Sequence, residues 1–250
     1  MKVLALIPAR MGSSRFPGKP MASLLGKPMI GHVYDRVRQA EGLDAAAVAT
    51  CDPEIRDYIA SIGGTAVMTD SAHERASDRC AEALLSIERQ RNLRYDIVVM
   101  VQGDEPMTHP QMIVEAVEPF AHDNDLKVVN LMAPIKTLEE FEDRNCIKVV
   151  CDLRGNAIYF SREPIPHRLR SGKVVISKQV CVIPFRRDFL LEYARMAPTP
   201  LEIAESIDML RVLEHGGRVR MVPTMHESHA VDTPADLRKV EELMKLNIAE

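Results

Sequence analysis

The sequence has no excess of positive charge and no long apolar run. Its 250 residues contain 32 Lys and Arg against 36 Asp and Glu, which gives a formal net charge of −4 at pH 7. A global basic field is therefore lacking, and we expect no nucleic-acid partner. No apolar stretch approaches the ~20 residues that a bilayer-spanning helix needs, and the chain begins directly with a strand-like segment. We therefore expect a cytoplasmic protein without membrane insertion or a signal peptide.

Histidine and cysteine spacings typical of a metal centre are also missing. The five cysteines, an odd number, stand at positions 51, 80, 146, 151 and 181, mostly in or beside apolar runs. This arrangement predicts buried, reduced thiols rather than disulfides. We interpret His215, His226 and His229 as surface or structural residues and not as zinc ligands.

The sequence does contain an alternation of short apolar runs with amphipathic helical patterns. The first run, 3–7, fits a buried strand that Pro8 ends, because proline cannot donate to a sheet ladder. Further strands are predicted at 45–51, 65–68, 97–101 and 127–132. Helices are predicted at 28–41, 80–91 and 111–122, and another begins at 53 with Asp52 as its cap. A polar turn is predicted at 70–79. These lengths predict βαβ units with a mainly parallel sheet, in one α/β domain spanning residues 1–250.

The first predicted strand leads into a loop that combines cations with small residues. The loop holds three cations, Arg10, Arg15 and Lys19. Small residues let backbone N–H groups turn toward an anion, and the cations supply charge and donors for it. Open α/β sheets bind ligands at such loops, so the pattern favours an anion site, with a solvated basic loop as the alternative. It differs from the ordinary phosphate loop, because Gly12 to Gly18 is one residue too long and Pro20 replaces the metal-binding Ser or Thr.

A pair of carboxylates follows the most continuous apolar run, 97–101, in the sequence Gln102-Gly103-Asp104-Glu105-Pro106. In a parallel sheet this pair faces the same crevice as the basic loop. Gly103 allows a close backbone approach. Asp104 is a candidate Mg²⁺ ligand, since Mg²⁺ is commonly bound through one or two carboxylates plus phosphate oxygens. The alternative is a turn residue that caps the helix starting near Pro110.

The pattern changes in the second half of the chain. Strands at 147–152 and 157–161 around a turn predict a β-hairpin, and 173–185 is extended with an interruption at 177–179. We interpret 146–185 as a β-rich arm inserted into the α/β body, either a lid or a dimer contact.

The last part of the chain carries further acidic residues. A helix is predicted from Pro200, with an apolar stripe at Leu201, Ile203, Ala204, Ile207, Leu210 and Leu213. Glu202, Glu205 and Asp208 fall on another face, for which a solvated surface is the simplest interpretation. A strand at 219–223 follows, and Asp232 stands where the N-cap of a closing helix is expected.

Five motifs, in order along the chain, together carry a family resemblance. They are Ala5-Leu6-Ile7-Pro8-Ala9-Arg10-x-Gly12-Ser13-x-Arg15-x-Pro17-Gly18-Lys19-Pro20, Gln102-Gly103-Asp104-Glu105-Pro106, Tyr159-Phe160-Ser161-Arg162-x-Pro164-Ile165-Pro166, Leu210-Arg211-x-Leu213-Glu214-x-Gly216 and Val231-Asp232-Thr233-Pro234. The chain resembles the 3-deoxy-manno-octulosonate (Kdo) cytidylyltransferase family, also called CMP-Kdo synthetases.

The resemblance implies the three-layer, Rossmann-like α/β fold of nucleotide-diphosphosugar transferases, usually as a homodimer. It implies that CTP and a keto-deoxy sugar acid give a CMP-sugar and pyrophosphate with Mg²⁺, for lipopolysaccharide or surface-glycan synthesis. The implied catalytic residues are Arg10, Lys19, Asp104 and Asp232, of which Asp104 and Asp232 bind the metal. The implied nucleotide-binding residues are Pro8, Ala9, Arg10, Gly12, Ser13, Arg15, Lys19, Arg79 and Gln102. The implied sugar-acid-binding residues are Gln102, Arg162, Gln179, Glu202 and Glu205.

The chain departs from the family pattern in the expected sugar pocket. Gln179 and Ile183 replace a His and a Tyr, and Ile203 and Met209 replace two glutamines. A site that loses hydrogen-bonding groups can lose orders of magnitude in selectivity. We therefore expect nucleotidyl transfer to an acidic sugar, with Kdo as the leading candidate.

Two other interpretations remain open. One is transfer to a different acidic acceptor, such as a sialic-type acid or a phosphonate. The other is a non-catalytic nucleotide-binding module. Arg75 and Ala76, which replace a Ser and a Gly of the family pattern, also leave the base preference open.

Overall fold

The computed structural model describes residues 1–12, 15–167 and 175–248, and the chain divides into two compact units. The first unit comprises Met1–Val114 and Glu227–Glu250, and the second comprises Glu115–His226. The strands β1 to β12 are Val3–Ala9, Ser23–Leu24, Lys27–Pro28, Ala45–Thr50, Ala66–Met68, Ile97–Val101, Val129–Pro134, Lys148–Cys151, Ala157–Ser161, Ser177–Val180, Val182–Arg186 and Arg220–Pro223. The helices α1 to α9 are Met29–Val37, Pro53–Ser61, Ala76–Arg91, Pro110–Val117, Leu138–Glu142, Arg187–Tyr193, Pro200–Glu205, Met209–Glu214 and Pro234–Ile248. Short 3₁₀ turns form at Lys19–Met21 and Glu118–Ala121.

A parallel sheet forms the centre of the first unit. Strands β6, β1, β4 and β5 lie side by side in that order, and each neighbouring pair is parallel. All seven residues of β1 are buried, as expected for a parallel strand covered on both faces. Helices α1 and α3 pack against β1. The predicted mixed α/β class is confirmed, and the carboxyl ends of β1, β4 and β6 share one edge.

The prediction that Pro8 ends the first strand is wrong. Strand β1 continues to Ala9, with Pro8 opposite Ala49 of β4. The pairing of β1 with β6 has already ended at Leu6 opposite Met100, so the missing N–H of Pro8 breaks no ladder bond on that side.

Helix α3 also begins earlier than predicted, at Ala76, within the expected polar turn. Its first turns bury two polar side chains, Ser77 and Arg79, which interrupt the apolar periodicity in the sequence. The Arg79 guanidinium is accommodated because it donates to the Thr69 hydroxyl and to the His73 carbonyl.

A mostly antiparallel sheet forms the second unit, in the order β12-β7-β10-β8-β9. Among the described residues of this sheet, the pairing of β7 with β12 is parallel and the other strand pairings are antiparallel. The predicted hairpin is confirmed as β8 and β9. The predicted interruption at 177–179 is wrong, because these residues belong to β10, where Lys178 pairs with Glu140 and Gln179 with Asn130. Residues 173 and 174 of the predicted extended segment lie outside the described residues, and the lid or dimer role of 146–185 stays a prediction.

The single helix predicted from Pro200 is wrong. Two helices, α7 and α8, are separated by Ser206 at a φ of +53°. The expected apolar stripe is also inverted at its start, since Leu201 and Ile203 are exposed whereas Glu202 is buried. Glu202 is buried because it forms an ion pair with Arg211 of α8, and both side chains are 2% exposed. Among the described residues, no helix combines the length and apolarity that crossing a membrane requires.

Candidate active site

The loop after β1 is closed at its base by backbone hydrogen bonds of Met11. The Met11 N–H donates to Asp52 Oδ2 at 2.8 Å, and the Gly18 N–H donates to the Met11 carbonyl at 3.0 Å. Gly18 has a φ of +73°, a conformation that favours glycine. Asp52 occupies the N-cap position of α2, as predicted, but its side chain makes no capping bond to that helix.

Lys19 follows this loop and brings two distant carboxylates together. Its Nζ atom lies 2.6 Å from Asp104 Oδ2 and 3.3 Å from Asp232 Oδ1. The Lys19 side chain is only 12% exposed, and Arg15 Nη2 lies 2.9 Å from the same Asp232 oxygen. Four of the predicted site residues therefore form one cluster of alternating charge in the first unit.

Asp104 owes its position to the turn that follows β6. A Cβ atom at Gly103 would lie 2.8 Å from the Pro8 carbonyl oxygen, so the predicted close backbone approach is confirmed. The Asp104 carbonyl accepts the Val231 N–H at 2.9 Å. Glu105, which is buried, accepts a hydrogen bond from the Ser228 hydroxyl. These bonds fix the segment before α9 beside the carboxyl end of β6.

Asp232 is not the N-cap of α9. Thr233 takes that position, since its hydroxyl accepts the Asp236 N–H at 3.2 Å and its own N–H donates to Asp236 Oδ2 at 2.8 Å. The Asp232 carboxylate faces Arg15 and Lys19 instead. The N-cap interpretation is therefore wrong.

Other predicted nucleotide-binding residues lie along the same edge of the sheet. Pro8 and Ala9 end β1, the exposed Arg10 follows them, and Gln102 is half-buried beside Gly103. A Cβ atom at Gly12 would meet nothing within 4 Å. Ser13 lies outside the described residues. Arg79 is 2% exposed and, as described above, bound to Thr69 and His73.

In the second unit, Arg162 and Glu205 contact each other. The Glu205 carboxylate accepts hydrogen bonds from the Arg162 N–H at 2.8 Å, the Ser161 hydroxyl at 2.8 Å and the Tyr159 hydroxyl at 3.3 Å. Burial alone would raise the pKa of Glu205, but these hydrogen bonds outweigh it and lower that pKa. The Arg162 guanidinium donates to the carbonyls of Arg144, Glu205 and Ser206.

The other two sugar-acid candidates have separate partners. Gln179 donates to the Asn130 side chain, whose own amide donates to the Val180 carbonyl at 2.7 Å. Both carboxylate oxygens of Glu202 accept from Arg211, at 2.6 and 2.8 Å. Gln179 therefore connects β10 to β7, and Glu202 connects α7 to α8.

Sequence reasoning missed the contacts of two polar side chains that hold loops of the two units. The sequence predicts Asp52 as a helix cap, and only the pairing of β1 with β4 shows that its side chain also binds the Met11 N–H. Lys148 was included within an apolar strand run, yet its buried Nζ donates to the carbonyls of Asp143, Cys146 and Arg162 at 2.6 to 2.8 Å. Burial lowers the pKa of Lys148. A lysine inside an apolar run was the one available signal.

The geometry of the first unit can bind an anion and a divalent cation together. Arg10, Arg15 and Lys19 supply positive charge beside the turn, and Asp104 and Asp232 supply carboxylate oxygens. Such a set fits a polyphosphate with its metal ion.

Comparison with known proteins agrees with this chemistry. The sequence profile of the cytidylyltransferase family matches residues 4–225. The chain is 45% identical over 253 residues to the 3-deoxy-manno-octulosonate cytidylyltransferase of Geobacter metallireducens, with 97% of each chain covered. It is 46% identical over 256 residues to the protein of that name from Trichlorobacter lovleyi, covering 98% of this chain and 99% of the relative. A solved structure of CMP:2-keto-3-deoxy-manno-octonic acid synthetase complexed with CTP matches with 37% identity and a TM-score of 0.90, covering 99% of this chain and 100% of the other. The chain belongs to the 3-deoxy-manno-octulosonate cytidylyltransferase family.

Proposed function

We propose that this protein is a cytidylyltransferase that joins CMP from CTP to the keto-deoxy sugar acid Kdo and releases pyrophosphate. One observation carries the proposal: Lys19 lies between Asp104 and Asp232, with Arg15 beside them, in a member of this family. The activated sugar would serve lipopolysaccharide or surface-glycan synthesis.

Positive charge is needed because both substrates are anions, a triphosphate and a carboxylate. At ~4 Å and an effective dielectric constant near 20, each pair of unit charges interacts by about 4 kcal/mol before screening. We assign Arg10, Arg15 and Lys19 to the triphosphate of CTP. There they would offset the repulsion between the substrates and stabilise the charge that develops on the leaving pyrophosphate.

The carboxylates at this site fit a bound Mg²⁺. The Lys19 Nζ atom lies within 3.3 Å of a carboxylate oxygen of both Asp104 and Asp232. The two carboxylates are therefore close enough together to contact the same cation. In the described part of the chain, no group of three or more Asp, Glu, His or Cys side chains forms a metal site. Two carboxylates with further oxygens from phosphate and water are a usual arrangement for Mg²⁺. Bound there, the ion would neutralise phosphate charge and lower the pKa of the attacking hydroxyl.

The reaction then requires in-line geometry at the α-phosphorus. The anomeric hydroxyl of the sugar acid attacks that atom and gives up its proton to water, a new P–O bond forms, and the bond to pyrophosphate breaks. Lys19 and Arg15 would hold the leaving phosphates, because Lys19 is partly buried and Arg15 extends from the same loop. The carboxylates keep these cations oriented before the nucleotide binds.

The acceptor is assigned to residues of the second unit. We propose that Gln179 and the Arg162–Glu205 pair contribute to sugar-acid recognition, and that Glu202 acts indirectly because Arg211 occupies both of its oxygens. At two of the changed positions the side chain is apolar and buried, with Ile183 3% and Met209 0% exposed. Neither side chain can form a hydrogen bond with the sugar acid. Sugar acids other than Kdo should therefore also be tested as substrates.

The proposal is tested with a substrate panel. Pyrophosphate release is measured with CTP or UTP against Kdo, a sialic-type acid and a phosphonate, at saturating Mg²⁺. We expect the highest kcat/KM for CTP with Kdo. If another acid is preferred, the proposed sugar acid is wrong but the proposed cytidylyl transfer stands. Tight CTP binding without turnover of any acid would instead indicate a non-catalytic binding module. The proposed homodimer is tested on the same preparation by light scattering.

A further inference from the structure

Asp52, which follows β4, contacts the loop after β1 that carries cations of the candidate site. We propose that Asp52 is a positioning residue of the transferase: by holding the Met11 N–H, its carboxylate fixes the base of the loop that presents Arg10 and Lys19 to the triphosphate. This inference rests on the proposed function, which it deepens.

The hydrogen bonds of Met11 define one point on the loop. The Met11 N–H is bound by Asp52 Oδ2 at 2.8 Å, and the Met11 carbonyl is bound by the Gly18 N–H at 3.0 Å. Arg10 directly precedes Met11, and Lys19 directly follows Gly18. Arg10 is therefore bonded directly to Met11, and Lys19 is connected to it through the hydrogen bond of Gly18, so movement of Met11 would move both cations.

Asp52 is itself held by rigid elements. It follows β4, which pairs with β1 in a register that places Thr50 opposite Ala9. The Asp52 N–H donates to the buried Thr50 hydroxyl at 3.1 Å, and the Asp52 carbonyl accepts the Arg56 N–H of α2 at 3.2 Å. The Cys51 thiol donates to the same carboxylate oxygen, Oδ2, at 3.5 Å. The Asp52 carboxylate thus fixes Met11 of the loop relative to the end of β4.

The role needs an acceptor atom at one place, and it does not need a negative charge. A carboxylate forms a stronger hydrogen bond to an N–H than a neutral group does, but its charge opposes a nearby triphosphate. An asparagine side chain retains an acceptor oxygen at nearly the same position. A glutamate retains the charge and displaces the oxygen by one methylene. Comparing these two variants separates position from charge.

The experiment compares Asp52→Ala, Asp52→Asn and Asp52→Glu with the control Asp57→Ala. Asp57 lies on α2 in an exposed ion pair with Arg56, so its removal should leave all parameters unchanged. For Asp52→Ala and Asp52→Glu we expect the KM for CTP to rise by about tenfold or more, with the KM for the sugar acid within about twofold. For Asp52→Asn we expect the KM for CTP to stay within about threefold of the wild type.

Amide hydrogen exchange supplies a second readout that needs no substrate. In a peptide ending at Gly12, the Met11 amide should exchange about tenfold faster in Asp52→Ala than in wild type, and at nearly the wild-type rate in Asp52→Asn. A general loss of stability would instead accelerate exchange throughout β1.

The outcomes separate this inference from the proposed function. Equal rises in KM for both substrates, or Asp52→Asn as impaired as Asp52→Ala, would overturn the positioning role. If Asp52→Ala does not fold, the contrast between Asn and Glu decides the question. If the wild type transfers no nucleotide at all, the proposed function fails, and unchanged exchange at Met11 would overturn the loop anchor independently.

Discussion

The Nζ atom of Lys19 lies 2.6 Å from a carboxylate oxygen of Asp104, although 85 positions separate these residues in the sequence. The contact forms because Gly103 lets the chain after β6 approach Pro8 at the end of β1. Both side chains are partly buried, with Lys19 12% and Asp104 28% exposed. A partly buried ion pair at the edge of a parallel sheet suits ligand binding better than it suits stability.

Removing either carboxylate charge should abolish most of the activity. We expect Asp104→Asn and Asp232→Asn each to lower kcat by roughly 10²-fold or more, because each removes a proposed Mg²⁺ ligand while leaving the shape of the side chain unchanged. The measurement is pyrophosphate release at saturating Mg²⁺. Asp57→Asn, in the exposed pair with Arg56, is the matched control. Full turnover in both site variants would end the metal assignment.

The two cations that contact Asp232 should differ in importance. The Lys19 side chain is 12% exposed and the Arg15 side chain is 56% exposed, so solvent screens Arg15 more strongly. We expect Lys19→Met to raise the Kd for CTP by about 100-fold and Arg15→Met by about tenfold or less. Titration of CTP by calorimetry provides the check. The reverse order of the two effects would contradict the assigned geometry.

A methyl group at Gly103 should destabilise the fold as well as the site. The added Cβ would lie 2.8 Å from the Pro8 carbonyl oxygen, which belongs to a buried strand and has little room to move. We expect Gly103→Ala to cost about 1–3 kcal/mol in free energy of unfolding, measured with urea. Gly12→Ala, where the new Cβ meets nothing within 4 Å, should leave that free energy nearly unchanged.

The buried Glu202–Arg211 pair should be needed for the second unit. We expect Glu202→Ala to lower the free energy of unfolding by about 3–5 kcal/mol, because it leaves the Arg211 guanidinium buried without its carboxylate. The surface pair Glu241–Lys245 is the control, and Glu241→Ala should change stability by less than about 1 kcal/mol. Similar urea midpoints for the two variants would contradict a structural role for Glu202.

Acid should weaken the second unit through Glu205. Its pKa is lower in the folded protein, so its contribution to stability is complete above the pKa of the unfolded chain and is lost as the pH falls through the folded pKa. We expect the melting temperature of the wild type to fall more steeply below the unfolded pKa than that of Glu205→Gln. If the melting temperatures of the two proteins fall in parallel with pH across that range, the hydrogen bonds from Ser161 and Arg162 do not favour the charged form of Glu205.

Patterns in the sequence predicted the parts of this structure that depend on local periodicity. The apolar runs located β1, β4 and β6, and the residue types after them indicated the cations and acids of the site. The errors occurred where a tertiary contact overrides the local pattern. Glu202 is buried because it forms an ion pair with Arg211. Asp232 pairs with Arg15 and Lys19, and Thr233 caps the helix instead. Lys19 and Asp232 are 213 positions apart, and Glu202 and Arg211 lie on different helices, so helical periodicity indicates neither pairing.

The division of the chain into units has a consequence for biosynthesis. The first unit is completed by Glu227–Glu250, which the ribosome makes after the whole of the second unit. Asp232 and the buried residues Val231, Val240 and Met244, which pack with Leu24 and Met29, are therefore synthesised after the second unit. A nascent chain already long enough to fold its second unit still lacks one of the two acids beside Lys19. The ability to bind a nucleotide and its metal would accordingly appear only after Glu227–Glu250 has been synthesised.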